Sequence, residues 1–132
     1  MASIFSKIVA GEIPAYKVAE NDQFLAFLDI NPMALGHTLV IPKKEIPYIF
    51  EVDDDLLGAM MVFAKRVAKA IEKSVDCTRI GVGVVGLEVP HCHIHLIPLH
   101  NSVGEMNFGG AKLSPSQDEL LAMAQKIKSN FV

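Results

Sequence analysis

The sequence His91-Cys92-His93-Ile94-His95-Leu96-Ile97 decides what this chain folds into and where its chemistry lies. Histidines alternate with apolar residues along it, and a β-strand sends alternate side chains to opposite faces. The pattern therefore predicts a strand whose apolar face packs into the core. The other face carries His91, His93 and His95 in a row, each roughly 6–7 Å from the last.

Three imidazoles on one strand face need partners for six ring nitrogens, and histidine is not a preferred core residue. A purely structural role is therefore disfavoured. One interpretation is a metal site, because two histidines at i and i+2 of a strand can ligate zinc, with a further ligand from His37 or His100. No carboxylate near the row would orient the ligating rings, since Glu88 falls on the opposite parity.

A second interpretation is nucleophilic catalysis on phosphorus. A neutral imidazole can attack a phosphoryl group and form a covalent intermediate that water then hydrolyses. Neighbouring imidazoles can hold the oxyanions or protonate the leaving group, because the pKa of histidine lies near physiological pH. A central His93 with flanking helpers fits the spacing, but spacing alone does not choose between the two interpretations.

The flanking sequence predicts an α+β fold, because strands and helices do not strictly alternate. The longest helix is expected after Asp53-Asp54-Asp55, with an apolar stripe that starts at Leu56. A C-terminal helix over about residues 114–129 is expected to open with the capping box Ser114-Pro115-Ser116-Gln117. A short helical segment precedes five strands of an antiparallel sheet, which are expected at residues 16–19, 24–30, 38–41, 79–85 and 89–99.

Composition predicts one globular domain over residues 1–132, with 51% hydrophobic and 20% charged residues. A net charge of −3 without a basic cluster gives no footprint for nucleic acid. Two cysteines are too few for a disulfide scaffold, and neither a signal peptide nor a membrane span is recognisable. A cytoplasmic location is therefore expected.

The central stretch has the form His-φ-His-φ-His-φ-φ, where φ is apolar, and it resembles the signature of the histidine triad (HIT) family. Ile4-Phe5-Ser6-Lys7-Ile8-Val9-Ala10-Gly11-Glu12-Ile13-Pro14 is similar to the N-terminal segment of that family. Ala26-Phe27-Leu28-Asp29-Ile30-Asn31-Pro32 and Gly36-His37-Thr38-Leu39-Val40-Ile41-Pro42-Lys43 are similar to two further segments. The chain most resembles the Hint branch of nucleoside phosphoramidate hydrolases, and the Fhit branch of dinucleoside polyphosphate hydrolases comes second.

The resemblance implies a HIT-like fold, a homodimer and hydrolysis at the α-phosphate of a purine nucleotide, with no metal or other cofactor. His93 matches the nucleophile that becomes adenylylated. His95 and His91 match the flanking histidines that bind the phosphate and orient the nucleophile. Asp29 matches the carboxylate that holds the ribose hydroxyls. The remaining matches are a purine pocket lined by Phe27, Ile30, Ile8 and Phe5, and His37 as a fourth histidine near the site.

Asp29 also has a structural interpretation. It interrupts an apolar strand, and a buried acid is costly unless it is paired, which two ribose hydroxyls would achieve. Alternatively, it caps the turn at Asn31-Pro32.

The sequence departs from the family pattern in four places. Many family members carry a longer Asn- and Gly-containing loop before the triad, whereas Gly81-Val82-Gly83-Val84-Val85-Gly86 is short and has no Asn. Leu87-Glu88 stands where the family usually has Gln then Ser or Thr. A carboxylate there would repel a phosphate, unless Glu88 points away or contacts a cationic leaving group, or turnover is weak. Ser3 and Ser6 replace the Cys-x-x-Cys of metal-binding relatives, so a structural zinc is not expected. Beyond Leu99 the sequence diverges.

Three hypotheses follow. The first is a hydrolase or transferase that forms a covalent nucleotide adduct on His93, acting on a phosphoramidate or a dinucleoside polyphosphate. The second is a nucleotide-binding module with little or no catalysis, suggested by Glu88 and by the short loop before the triad. The third is a metal-dependent site on the three histidines.

Overall fold

Five antiparallel strands form one sheet with the order β1-β2-β3-β5-β4 in the computed structural model, which describes residues 2–132. The α+β prediction, with a five-stranded antiparallel sheet, a long helix and a C-terminal helix, is confirmed. None of the described helices is long and apolar enough to cross a membrane. The helices and strands are α1 (Ile4–Val9), β1 (Lys17–Glu20), β2 (Phe24–Leu28), β3 (Thr38–Pro42), α2 (Asp54–Ser74), β4 (Arg79–Gly83), β5 (Ile94–Leu99) and α3 (Gln117–Asn130).

Apolar side chains cover both faces of the sheet, which explains why β2 and β3 are buried along their whole length. On one face, α2 and α3 pack over Phe24, Ala26 and Leu28 of β2. On the other face, Leu25 and Phe27 of the same strand join the apolar side of α1. The period-2 alternation of β2 thus divides the core into a large helical side and a small side under α1.

The long helix α2 begins where the acidic run predicts it. Asp53 is the N-cap, and its side chain accepts a hydrogen bond from the Leu56 N–H at 2.9 Å. The predicted apolar stripe is nearly correct, but Met61 is 48% exposed, whereas Phe63 is buried against the sheet.

Strand β5 begins at Ile94, so the prediction that it starts at residue 89 is wrong. Its partner β3 ends at Pro42, which has no N–H to continue the ladder. The carbonyl of Pro42 accepts from Nε2 of His91, and the N–H of Cys92 donates outside the sheet, to the carbonyl of Ile46 at 2.8 Å. The triad segment lies at the end of the sheet, and only its second half belongs to the ladder.

The C-terminal helix α3 spans Gln117–Asn130, so the expected start at residue 114 is wrong. Ser116 is the N-cap, and it exchanges hydrogen bonds with Glu119 in a capping box that begins two residues later than predicted. The N–H of Leu113 donates to the carbonyl of Pro32 at 2.8 Å, so the residues just before α3 are held against the segment that follows β2.

Candidate active site

A cavity of about 220 Å³ lies beside the end of β5, and the second and third histidines of the triad line it. The rest of its wall comes from the end of β2, the segment after β4 and the segment before α3. The lining residues are Asp29, Met33, Val85, Gly86, Leu87, Glu88, His93, His95, Phe108 and Lys112.

His93 presents one free ring nitrogen to this cavity. Its Nδ1 lies 2.9 Å from the carbonyl oxygen of His91 and donates to it, because a carbonyl can only accept. In the neutral ring, Nε2 then carries the lone pair. The ring of Phe5 lies edge-on to His93 with centroids 5.0 Å apart, which restrains the imidazole from behind.

His95 belongs to a chain of hydrogen bonds that fixes its tautomer. The N–H of Met33 donates to Nδ1 of His37 at 3.1 Å, so Nε2 of His37 carries the proton. That Nε2–H donates to Nδ1 of His95 at 2.9 Å. The remaining N–H of His95, on Nε2, is left as a donor at the cavity.

Burial keeps both rings of this chain neutral. Loss of solvent, followed by the charge of His95, lowers the pKa of His37 to about 3. Loss of solvent, followed by the charges of His93 and Lys112, lowers the pKa of His95 to about 4. At neutral pH, His95 is therefore a hydrogen-bond donor without a positive charge.

His91 is fully buried and both of its ring nitrogens bond within the protein. Nε2 donates to the carbonyl of Pro42 at 2.7 Å, so Nδ1 accepts from the hydroxyl of Ser3 at 2.9 Å. The carboxylate of Glu45 accepts hydrogen bonds from the Ser3 N–H and the Ser6 hydroxyl. These bonds lower the pKa of Glu45 to about 2. His91 thus contributes its carbonyl to the site, and its ring anchors α1.

Asp29 lies directly after β2, and its two carboxylate oxygens have different surroundings. One carboxylate oxygen accepts from the Asn31 N–H at 2.9 Å, as expected of a turn cap. The other lies 3.8 Å from Nε2 of His37 and faces the cavity, where a ligand hydroxyl could reach it. Burial, opposed by the Asn31 bond, raises the pKa of Asp29.

Three of the four apolar residues predicted for the purine pocket lie together. Phe5, Ile8 and Phe27 are buried in the cluster under α1, with Phe5 and Phe27 edge-to-face at 5.5 Å between centroids. Ile30 lies apart from this cluster and is 58% exposed beyond the strand. The Phe5 ring lies edge-on to the cavity residue His93.

Glu88 is exposed and lines the cavity together with Leu87. It therefore lies near the triad, although it lies outside β5, which begins at Ile94. Phe108 and Lys112 also line the cavity, and sequence reasoning assigned neither of them a role. An aromatic residue between Asn107 and Gly109 was the one local signal, whereas nothing in the sequence marks Lys112.

Two places are candidates for a metal ion, namely the one cluster of ligand atoms among the described residues and the two serines at the Cys-x-x-Cys positions. The side-chain ligand atoms of Asp29, His37 and His95 lie within 4.8 Å of one another. The facing nitrogens of the two histidines share a proton in a 2.9 Å hydrogen bond, so they do not offer two free lone pairs. Ser3 and Ser6 have neutral hydroxyls, which are not ligands that structural zinc prefers, and both are already hydrogen-bonded. Neither set fits a resident metal ion.

The fold and the cavity define a small α+β protein with a histidine-lined cavity at one end of an antiparallel sheet. Comparison with known families is more specific, because the HIT domain model matches residues 10–102. The chain belongs to the HIT family. Within that family it is most like the Hint branch, to which the adenosine 5'-monophosphoramidases among its relatives belong.

Individual relatives agree with this membership. The adenosine 5'-monophosphoramidase of Schizosaccharomyces pombe is 35% identical over 132 residues, which is 99% of each chain. Among solved structures, a HIT-like protein from Bartonella henselae has a TM-score of 0.84 and 31% identity, covering 98% of this chain and 96% of its own. A zinc-bound histidine triad family protein from Mycobacterium smegmatis has a TM-score of 0.83 and 26% identity, covering 98% and 93%.

Proposed function

We propose that this protein is a nucleotide hydrolase that acts at the α-phosphate of a nucleoside monophosphate derivative through a covalent nucleotidyl-His93. The substrate class is a phosphoramidate or a dinucleoside polyphosphate with a purine base. Membership of the HIT family and the monophosphoramidase relative from Schizosaccharomyces pombe support hydrolase chemistry.

One observation carries the proposal, namely the hydrogen bond from Nδ1 of His93 to the carbonyl of His91. It directs the lone pair on Nε2 to the cavity, where this nitrogen would form a bond to phosphorus as the bond to the leaving nitrogen or oxygen breaks. The ring becomes positively charged in that step, and the His91 carbonyl stabilises it through the Nδ1–H. Water then cleaves the phosphorus–nitrogen bond, which releases the nucleotide and restores the neutral ring.

The other predicted residues take supporting roles. The Nε2–H of His95 would donate to a phosphate oxygen, and the hydrogen bond from His37 keeps that proton in place. The departing amine would take its proton from water at the open side of the cavity. His91 acts as a positioning residue through its carbonyl, because its ring nitrogens are engaged elsewhere. Asp29 would hold the ribose hydroxyls.

The proposal needs no metal ion, because the nucleophile is a neutral imidazole and the phosphate-binding donor is an N–H group. A nucleotide-binding module with weak catalysis is the alternative that the position of Glu88 favours. A carboxylate in the cavity wall disfavours an anionic transition state unless a cation offsets it.

An adenosine phosphoramidate that carries a fluorescent amine tests the proposal, with a chelator present throughout. We expect turnover by the wild-type protein and a drop of at least about 10³-fold in His93→Ala, because the covalent route is lost. Intact-mass spectrometry after rapid quenching should detect a nucleotide adduct on the wild-type protein only. His100→Ala is the matched control, since His100 is exposed and absent from the cavity lining.

Unchanged turnover in His93→Ala would refute the covalent mechanism. Turnover that appears only when the chelator is omitted would instead favour the metal-dependent hypothesis. Tight binding of AMP with no turnover of any leaving group would support the binding module.

A further inference from the structure

The cavity carries an unbalanced set of charges. Asp29 and Glu88 contribute two carboxylates to its wall, and burial keeps His95 neutral. Lys112 is the single lysine or arginine in the lining formed by the described residues. A phosphate that enters this cavity would meet net negative charge if Lys112 were absent.

The ammonium group of Lys112 is fixed in place. Its Nζ donates to the carbonyls of Phe108 at 2.7 Å, Gly110 at 3.0 Å and Asn107 at 3.3 Å. These carbonyls take up its three N–H donors and orient the cation, so Lys112 acts on an anion through its charge. A charge that is held before the ligand arrives attracts an anion without a further loss of side-chain entropy.

The segment that carries Lys112 is built against the site. The ring of Phe108 lies edge-on to His95 with centroids 4.8 Å apart. A Cβ on Gly83 would lie 3.1 Å from the Phe108 ring, and one on Gly81 would meet the sulfur of Met106. The glycines of β4 therefore leave the space that the segment occupies.

The charge of Lys112 reaches the groups that surround it. After burial and the charge of His93, Lys112 is the next cause that lowers the pKa of His95. It also lowers the pKa of Asp29, although burial is the larger effect there and raises it. The electrostatic influence of Lys112 thus extends to both sides of the cavity.

We propose that Lys112 is a substrate-binding residue that recognises the phosphate of the nucleotide and replaces the polar groups missing at Leu87-Glu88. This inference rests on the proposed function, because it assigns the phosphate subsite of the same cavity. It predicts that the segment after Leu99, where the sequence departs from its family, contributes the charge that makes an acidic cavity accept an anion.

Calorimetric titration of AMP and of adenosine into the wild-type protein and three variants tests this assignment. Lys112→Met keeps most of the side chain but removes the charge, whereas Lys112→Arg keeps the charge. Lys65→Met is the matched control, because Lys65 is exposed on α2, across the sheet from the cavity. The ratio of AMP affinity to adenosine affinity isolates the contribution of the phosphate.

We expect Lys112→Met to weaken AMP about tenfold and to leave adenosine unchanged, while Lys112→Arg and Lys65→Met keep the wild-type ratio. The same loss for both ligands, or no loss for AMP, would overturn the assignment. The first of these outcomes would show that Lys112 only holds the Asn107–Gly110 turn in place. A wild-type protein that does not bind AMP at all would contradict the proposed function itself.

Discussion

At the scale of single residues, His93 and His95 differ in what the Nδ1 atom of each ring contacts. His93 donates to a carbonyl, so its lone pair is on Nε2. His95 accepts from His37, so its proton is on Nε2. Two neighbouring rings of the same type, with centroids 4.9 Å apart, therefore present opposite hydrogen-bonding groups to one cavity. In the proposed reaction, that difference separates the nucleophile, His93, from the hydrogen-bond donor to the phosphate, His95.

The neutral state of His37 and His95 predicts how stability depends on pH. Their folded pKa values of about 3 and about 4 lie below the unfolded value near 6.5, so the unfolded chain binds more protons between these limits. Stability is complete above about pH 6.5, and the free energy of unfolding falls as the pH drops toward 3. For His95 alone the loss is about 3 kcal/mol.

Urea denaturation between pH 3 and 8 measures this dependence. A His37→Gln/His95→Gln variant should lose a large part of the slope between pH 6.5 and 4, whereas His100→Gln should keep it. Identical slopes in the wild-type protein and the double variant would mean that the two rings are not the groups responsible.

The free oxygen of Asp29 predicts discrimination between sugars. If it accepts hydrogen bonds from the ribose hydroxyls, Asp29→Asn should raise KM for the adenosine phosphoramidate about tenfold, because bonds to a charged acceptor are lost. The variant should also lose the preference for this substrate over its 2′-deoxy analogue. Asp22→Asn, at the exposed turn between β1 and β2, is the control. A variant that still rejects the deoxy analogue would place ribose recognition elsewhere.

At the scale of secondary-structure elements, local sequence signals predict which elements exist better than where they end. The start of β5 illustrates this, because the side-chain alternation of the triad begins at His91, whereas the hydrogen-bonded strand begins at Ile94. Cys92 is buried with the α2 side of the core, as predicted, although it precedes the first hydrogen-bonded rung. The side-chain pattern depends on an extended backbone, whereas the strand boundary depends on what the partner can donate.

The start of α3 gives a direct test of a boundary. Ser116→Ala should lower the free energy of unfolding by about 1 kcal/mol, because its hydroxyl caps the Glu119 N–H. Ser114→Ala, which removes the cap that the sequence pattern suggested, should change it by less than about 0.5 kcal/mol. Urea denaturation of both variants distinguishes the two starts, and a larger effect at Ser114 would contradict the observed helix boundary.

At the scale of the whole molecule, one sheet edge and an apolar patch are left uncovered in the single chain. Strand β4 pairs with β5 alone within the described residues, and Val82 on it is 48% exposed. An apolar groove beside it includes Phe50, which is 77% exposed, and Leu87, which is 89% exposed. An open strand edge next to such a patch is a typical protein–protein interface.

We therefore expect a homodimer that covers this patch, as the family resemblance implies. Phe50→Asp should shift the protein to monomers in sedimentation velocity at micromolar concentration, because it buries a charge in an apolar contact. Leu121→Asp is the control, since Leu121 is a 49% exposed apolar residue of α3 that does not line the groove. A monomeric wild-type protein, or a Phe50→Asp variant that stays dimeric, would contradict this interface.

The sequence by itself determined the α+β class, the family and the candidate residues for the chemistry. These follow from side-chain alternation and from motifs whose residues are close together in the chain. The tertiary structure alone decided the tautomers, the inward anchoring of His91 and the separation of Ile30 from the other residues predicted for the purine pocket.

The tertiary structure also brought Lys112 to a cavity formed by residues distant from it in sequence, such as Asp29 and His93. The physical reason is that a proton position and a local charge depend on the partners that long-range contacts supply, such as Met33 for His37 and Pro42 for His91. No periodicity within a segment encodes these partners.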